Sequence, residues 1–292
     1  MLSTSGDYLL TLCISRLSID AFMLVFSTCN MTALLACAKT CRSFRTAVVV
    51  EMRMRAFALF RMFFGDRIRH FTGLLRLHNA VVSGSVALAF FSAPVCWEPG
   101  DLDVYVSDCA YPSFIVDLER HFPLALEADM SSRRPPHYAG IKGVRRYCTA
   151  SGKRMEIIRS AGPSPVSPLL YFWSSAVVNF LTPHGAVCGY PKHTLAGEGF
   201  LRDVSPSRKV VSARAKYEAR GFTFTEVSKW RSPNWAEQNG HRVFTDGDLL
   251  VVDFRRVRLP GQLVLPIERA TIAWVLKSPR GHVCLCTLSD LI

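Results

Sequence analysis

Val81-Val-Ser-Gly-Ser85, then Val86-Ala-Leu-Ala-Phe-Phe91, then Asp101-Leu-Asp-Val-Tyr-Val106 carries the sharpest fold signal in the chain. The apolar run ending in Val81-Val82 predicts a strand, Ser83-Gly84-Ser85 a turn, and Val86–Phe91 the first turns of a helix. Extended backbone puts alternate side chains on opposite faces, so Asp101, Asp103 and Tyr105 share one face and Leu102, Val104 and Val106 the other. Two carboxylates therefore project together from a strand whose back is apolar. Such a pair suits Mg²⁺, a hard cation that takes a few carboxylate oxygens and leaves its other positions to water and phosphate. Gly84 lets the backbone approach a phosphate, and Ser85 adds a hydroxyl at a helix N-terminus, which favours anions.

Working outward, Lys153-Arg-Met-Glu-Ile-Ile158 predicts a later strand, Arg154–Ile158, with Glu156 between hydrophobic neighbours. A second strand near Gly143–Cys148 precedes it across Ala150-Ser-Gly152. Tyr111–Phe122 reads as a helix, Ser131–Pro136 as a break, and Pro168–Leu181 as an apolar helix closed by Pro183 and Gly185. The order of strand, Gly-Ser turn, helix, Asp-x-Asp strand and later acid resembles the signature of the nucleotidyltransferase superfamily. The resemblance implies an α+β fold with a mixed-sheet core. It also implies Asp101, Asp103 and Glu156 as catalytic and metal-binding residues, Gly84 and Ser85 as phosphate-binding residues, Mg²⁺ as cofactor and a nucleoside triphosphate as ligand. The implied reaction is transfer of a nucleotidyl group to a hydroxyl acceptor. Read alone, the same residues also suit a solvated strand edge, or a domain of this fold without catalysis. A glycosyltransferase using Asp-x-Asp on a nucleotide sugar is a further reading, opposed by the lack of Rossmann-like βαβ repeats upstream.

At the N-terminus, Leu17-Ser-Ile-Asp-Ala-Phe-Met-Leu-Val-Phe26 is a short amphipathic pattern followed by a polar break. Leu34-Leu-Ala-Cys-Ala-Lys-Thr-Cys-Arg-Ser-Phe-Arg45 continues it as a second helix. The Leu17 to Asp20 start, the break, and Cys41-Arg42 with Phe44-Arg45 resemble an F-box, with Ser18 where that family usually has proline. The resemblance implies the Skp-type linker of a ubiquitin ligase as partner and a role as substrate adaptor; a helical hairpin capping the next domain is the alternative. Ala21–Ala38 carries no charged residue and is near the length needed to cross a bilayer, but Ser27, Thr28, Asn30 and Thr32 sit in its middle, so two short helices are expected and no membrane span. Val48–Phe64 reads as a longer helix in which Arg53, Arg55 and Arg61 snorkel past a packed face.

With 49% hydrophobic residues and 11% aromatic, the 292-residue chain is rich enough to bury a core. The expected division is 1–65 as F-box-like helices, 66–182 as the nucleotidyltransferase-like core, and 183–292 as a C-terminal α+β region. A formal charge of +12 favours an anionic partner, whether nucleotide, nucleic acid or acidic protein surface, without choosing among them. Arg133-Arg134, Arg145-Arg146 and Arg255-Arg256 read as solvated faces. The ten cysteines fit no disulfide framework; Cys37, Cys41 and Cys284-Leu-Cys286 read as buried thiols in a reducing compartment, cytoplasmic or nuclear.

Past residue 182, Ser207–Gly221 reads as a helix whose Arg214 and Lys216 are placed to neutralise a triphosphate, or simply to complement the helix dipole. Asp246-Gly-Asp248 before Leu249-Leu-Val-Val-Asp253 reads as hairpin, with glycine between the acids marking a turn. The F-box-like head, Ser83-Gly84-Ser85, Asp101-Leu102-Asp103, Trp173–Asn179 and Lys216–Gly221 together resemble a group of fungal proteins with this head and core.

Overall fold

The charge-free N-terminal run is broken into two helices in the computed structural model, which describes residues 19–130, 140–202, 207–226, 241–243, 249–254 and 273–275. Helix α1 (Ile19–Thr28) and helix α2 (Met31–Thr40) are split by Asn30, whose side chain accepts a hydrogen bond from the Ala33 N–H at 2.9 Å. This is the N-cap geometry that the polar break predicts. Among the described residues no helix is long and apolar enough to cross a membrane. Leu17 and Ser18, the start of the F-box pattern, lie outside the described residues.

Helix α3 (Arg42–Phe64) begins earlier than the expected Val48, because the Cys41 sulfur accepts from the Phe44 N–H and starts the helix there. Its Ala47, Val48, Met52, Ala56, Phe60, Phe63 and Phe64 are buried in one stripe. Phe44 stands edge-on to Phe22 and Phe26, with centroids 5.1 and 5.6 Å away, tying α1 to α3. Arg55 departs from the snorkelling expectation. Its side chain is buried, and it donates to Glu51 Oε1 at 2.7 Å and to the carbonyls of Phe26 and Cys29, each at 2.7 Å. The end of α1 is thereby fastened to the middle of α3.

A 3₁₀ turn (Gly65–Arg67) leads into α4 (Ile68–Leu77), β1 (Val81–Ser83), α5 (Gly84–Ser92), β2 (Asp101–Val106), α6 (Tyr111–His121), β3 (Leu124–Asp129), β4 (Ile141–Thr149) and β5 (Arg154–Ser160). Next come β6 (Asn179–Thr182), β7 (Gly185–Cys188), α7 (Pro191–Thr194), β8 (Glu198–Leu201), α8 (Arg208–Glu218), β9 (Thr223–Glu226), β10 (His241–Val243), β11 (Leu250–Asp253) and β12 (Ala273–Val275). Eight strands form one mixed sheet in the order β11-β7-β6-β1-β2-β5-β4-β3, in which β2 and β5 are the parallel pair. The fold is thus α+β, with N-terminal helices ahead of a mixed-sheet core.

Three expectations are corrected here. Pro168–Leu181 is not a helix but two 3₁₀ turns, Ser167–Tyr171 and Ser175–Val177, followed by β6. A central strand buried on both faces is apolar without alternation, so its sequence looks like a buried helix. Nor does Leu249–Asp253 close a local hairpin. β11 instead pairs antiparallel with β7, Leu250 opposite Cys188, and extends the main sheet. Asp246 and Asp248 lie outside the described residues, as do Arg133, Arg134, Arg255, Arg256, Cys284 and Cys286. Of the thiols, Cys188 is buried, Cys37 is half-buried, and Cys41 is exposed against expectation because it caps α3.

The sheet is apolar on both faces. Leu102, Val104, Val106, Met155 and Ile157 join the N-terminal helices, α5 and α6 in the main core. On the opposite face Val81, Tyr105, Ile158 and Phe180 pack against Val166, Leu169 and Leu170. The alternation read from β2 therefore places Asp101 and Asp103 on Tyr105's face, away from the main core.

Candidate active site

Register brings the predicted acids together. β1 runs antiparallel to β2 with Ser83 opposite Asp103, and β5 runs parallel to β2 with Glu156 opposite Asp103 on its other side. Partners in register on adjacent strands share a face. Asp103 is thus flanked by the Gly84 turn on one side and Glu156 on the other, with Asp101 two residues away on its own strand.

Gly84 has φ +65°, a left-handed conformation suited to glycine. A Cβ there would also collide with the Asp103 carboxylate. The glycine turn therefore makes room for the acid itself. Ser85, buried at the start of α5, donates its hydroxyl to Asp101 Oδ1 at 3.0 Å and so orients that carboxylate. Ser83 Oγ donates to the Asn179 carbonyl at 2.5 Å, fixing the turn to β6.

The charges around the acids are uneven. Both Nε and Nη2 of Arg146, on β4, donate to Glu156 Oε1, at 2.8 and 2.6 Å. Lys216, on α8, holds its Nζ 3.9 Å from Asp101 Oδ1. The carboxylate of Asp103 receives no hydrogen bond among the described residues. Burial pushes its pKa well above the usual carboxylate range, and the charges of Asp101 and Glu156 push it further, with Lys216 opposing. Tyr217, next to Lys216, is raised as well, first by burial and then by Asp103.

Each of the five predicted residues lies in this one region of the sheet. Arg146 and Tyr217 were not singled out in the sequence. Arg146 reads there as half of a solvated Arg-Arg pair, and only the β4–β5 register, which sets Arg146 opposite Glu156, reveals its partner. Arg214 instead pairs with Glu218 at 2.7 Å along α8. Among the described residues no three His, Cys, Asp or Glu side chains form a group fit to hold a metal ion. What the donor set offers Mg²⁺ is an oxygen pair, Asp101 and Asp103. That matches a cation usually bound by one or two carboxylates with water and phosphate, and among the described residues Asp103 has no counter-charge at bonding distance.

Comparison with known proteins adds one firm assignment. Residues 14–51 match the F-box domain. An F-box domain thus opens the chain, spanning α1, α2 and the first part of α3. No curated protein matches the sequence. Two solved structures are similar to part of it. The Thermotoga maritima CCA-adding enzyme complexed with tRNA is 15% identical over 59% of this chain and 42% of its own, with a TM-score of 0.41. A CCA-adding enzyme in complex with CTP is 14% identical over 58% of this chain and 43% of its own, with the same TM-score of 0.41. The chain spans less than half the length of either.

Proposed function

We propose that the mixed-sheet core binds a nucleoside triphosphate with Mg²⁺ at Asp101 and Asp103 and transfers its nucleotidyl group to a hydroxyl acceptor. The observation that carries this reading is Asp103. It is a half-buried carboxylate beside two others, without a bonded cation among the described residues, at a glycine turn that gives it space. Mg²⁺, when bound, would neutralise that charge and polarise the substrate's phosphate oxygens. Ser85 fixes the orientation of Asp101, and Gly84 leaves Asp103 free to face the ligand. Lys216 supplies positive charge from α8 for the triphosphate. Glu156, held by Arg146, orients the acceptor hydroxyl and takes its proton. The acceptor oxygen then forms its bond to the α-phosphorus as the bond to the bridging oxygen breaks and pyrophosphate leaves.

The test is equilibrium binding of each nucleoside triphosphate in Mg²⁺ and in EDTA, on the native chain and on Asp101→Ala. Binding that requires Mg²⁺ and is lost in the variant supports the assignment. Binding that survives Asp101→Ala removes these residues from the site.

A second function, compatible with the first, rests on the F-box match. Leu24 and Val25 on α1, within the matched segment, are 72% and 54% exposed, and we propose that this apolar surface takes the Skp-type linker of a ubiquitin ligase. In this reading the chain is a substrate adaptor and works inside the cell, with the core as its recognition surface. Co-purification with the linker, lost in Leu24→Asp, is expected; failure of the native chain to retain the linker overturns it. Nucleic acid as acceptor fits the charge of +12 and is read out in the same transfer assay with RNA and DNA primers.

A further inference from the structure

The end of α3, the loop into β3 and the β4–β5 turn border an open cavity of about 330 Å³. Phe63, Phe64, Phe122, Pro123 and Leu124 give it apolar walls. Packing holds those walls in place: the rings of Phe64 and Phe122 have centroids 4.9 Å apart, and Phe71 stacks on Phe64 at 4.1 Å. Among the described residues Arg67 is the one charged side chain that lines the cavity. It is exposed, donates to the His121 carbonyl at 3.1 Å, and has no carboxylate partner among those residues.

The cavity stands at the start of a sheet edge. β3 is last in the strand order, so the outer side of Leu124, Ala125 and Leu126 has no partner strand among the described residues. Ala125 and Leu126 are exposed, Leu126 by 53%. Pro123, which has no N–H, and the register shift after Leu126 keep this edge short, so backbone pairing alone is weak. Leu124 and Leu126 share one face, and a segment laid along β3 sets alternate side chains on that face, beside the cavity. An apolar side chain there finds the phenylalanine walls, and an acid next to it finds Arg67.

We propose, resting on the adaptor reading, that this edge and cavity take an extended segment of a substrate protein, with a bulky apolar residue in the cavity and a neighbouring Asp or Glu on Arg67. A phage-displayed library of random peptides is panned on the immobilised full chain without the linker, against an unrelated basic protein as control. Enriched peptides share a bulky apolar residue next to Asp or Glu. In fluorescence polarisation the strongest of them binds Arg67→Glu and Leu126→Asp about tenfold or more weakly. Arg76→Glu makes the same charge change at an exposed residue of α4 outside the cavity, and leaves binding unchanged. N-methylation of alternate peptide residues weakens binding, because it removes the N–H groups that pair with β3.

Leu24→Asp keeps the peptide whether or not the native chain retains the linker, so this proposal and the adaptor reading fail separately. If Arg67→Glu fails to fold, Leu126→Asp carries the comparison. The proposal is overturned if no peptide is enriched over the control protein, if Arg76→Glu weakens binding as much as Arg67→Glu, or if every N-methylated peptide binds as its parent does. It is also overturned if the native chain dimerises and Leu126→Asp separates it, since a second copy then occupies the edge.

Discussion

Arg55→Met should be among the most destabilising single changes in this chain. The guanidinium makes three short charge-assisted bonds, to Glu51 Oε1 and to the Phe26 and Cys29 carbonyls, and two longer ones at 3.3 and 3.4 Å to the carbonyls of Ser27 and Ala93. The carbonyls at the end of α1 lie close to exposed Ser27 and Thr28, so water can replace much of what they lose. Glu51 has no such relief, because it is 5% exposed. Breaking a buried ion pair by removing one partner typically costs about 3–5 kcal/mol, and that range is expected here. The double variant Arg55→Met/Glu51→Leu removes both charges and should recover a good part of the loss, since no charge is then left buried. Urea melts at 25 °C followed by circular dichroism measure both, and hydrogen exchange should show α1 opening before the sheet. A loss below about 1 kcal/mol for Arg55→Met, or a double variant no more stable than the single, refutes the reasoning that a desolvated pair couples the first helix to the third.

Asp103→Asn should make the protein more stable at neutral pH. A carboxyl whose folded pKa is raised binds its proton more tightly when folded, so stability is highest below the unfolded value near 3.9 and falls as pH rises towards the folded value. The gain in Asp103→Asn should therefore be large in urea melts at pH 7.5 and shrink towards pH 4, with Mg²⁺-dependent nucleotide binding lost in the same variant. Gly84→Ala should destabilise the fold by about 1–3 kcal/mol, since it combines a left-handed φ with a Cβ placed against Asp103; a melt within about 0.3 kcal/mol of native counts against that packing. Lys216→Met should leave the urea midpoint close to native but weaken triphosphate binding several-fold, because Lys216 is 42% exposed and its pairing with Asp101 contributes little to folding.

The parts of the fold legible in the sequence were those specified locally. The Gly-Ser turn, the alternation of Asp101 to Val106 and the polar break at Asn30 each act within a few residues, and the elements form where those signals stand. Alternation also told which face of β2 the acids occupy. Glu156 was legible as a strand residue, but its position opposite Asp103 depends on the register of a parallel pair separated by the whole of α6, β3 and β4. Arg146 and Arg55 were visible only as basic residues. Their roles come from carboxylates and carbonyls brought to them by packing, and charge patterning cannot show that. β6 reads as the end of a helix because burial on both faces erases the period that distinguishes strand from helix. β11 reads as a local hairpin until its partner, β7, more than sixty residues earlier, is known.

The distribution of counter-charges bears on whether the core is only a recognition surface. Glu156 is held by two donors of Arg146, and Asp101 by the Ser85 hydroxyl with Lys216 nearby. A fold that needed these acids only for structure would be expected to satisfy the third in the same way. It does not: Asp103 has no bonded donor among the described residues, and it lies close against the turn only because Gly84 has no side chain. A partly buried, unpaired carboxylate crowded by two others costs stability, and an isosteric asparagine would relieve that cost. Such local cost is characteristic of sites arranged for a ligand that supplies the missing partner, and a divalent cation with its phosphate is the partner whose charge and ligand preference fit. The proposed adaptor function draws on the N-terminal helices, on Leu24 and Val25, and leaves this acid unexplained. The stability gained by Asp103→Asn, set against the binding it loses, therefore separates the two: stabilisation with no change in nucleotide binding would leave the core as a recognition surface alone.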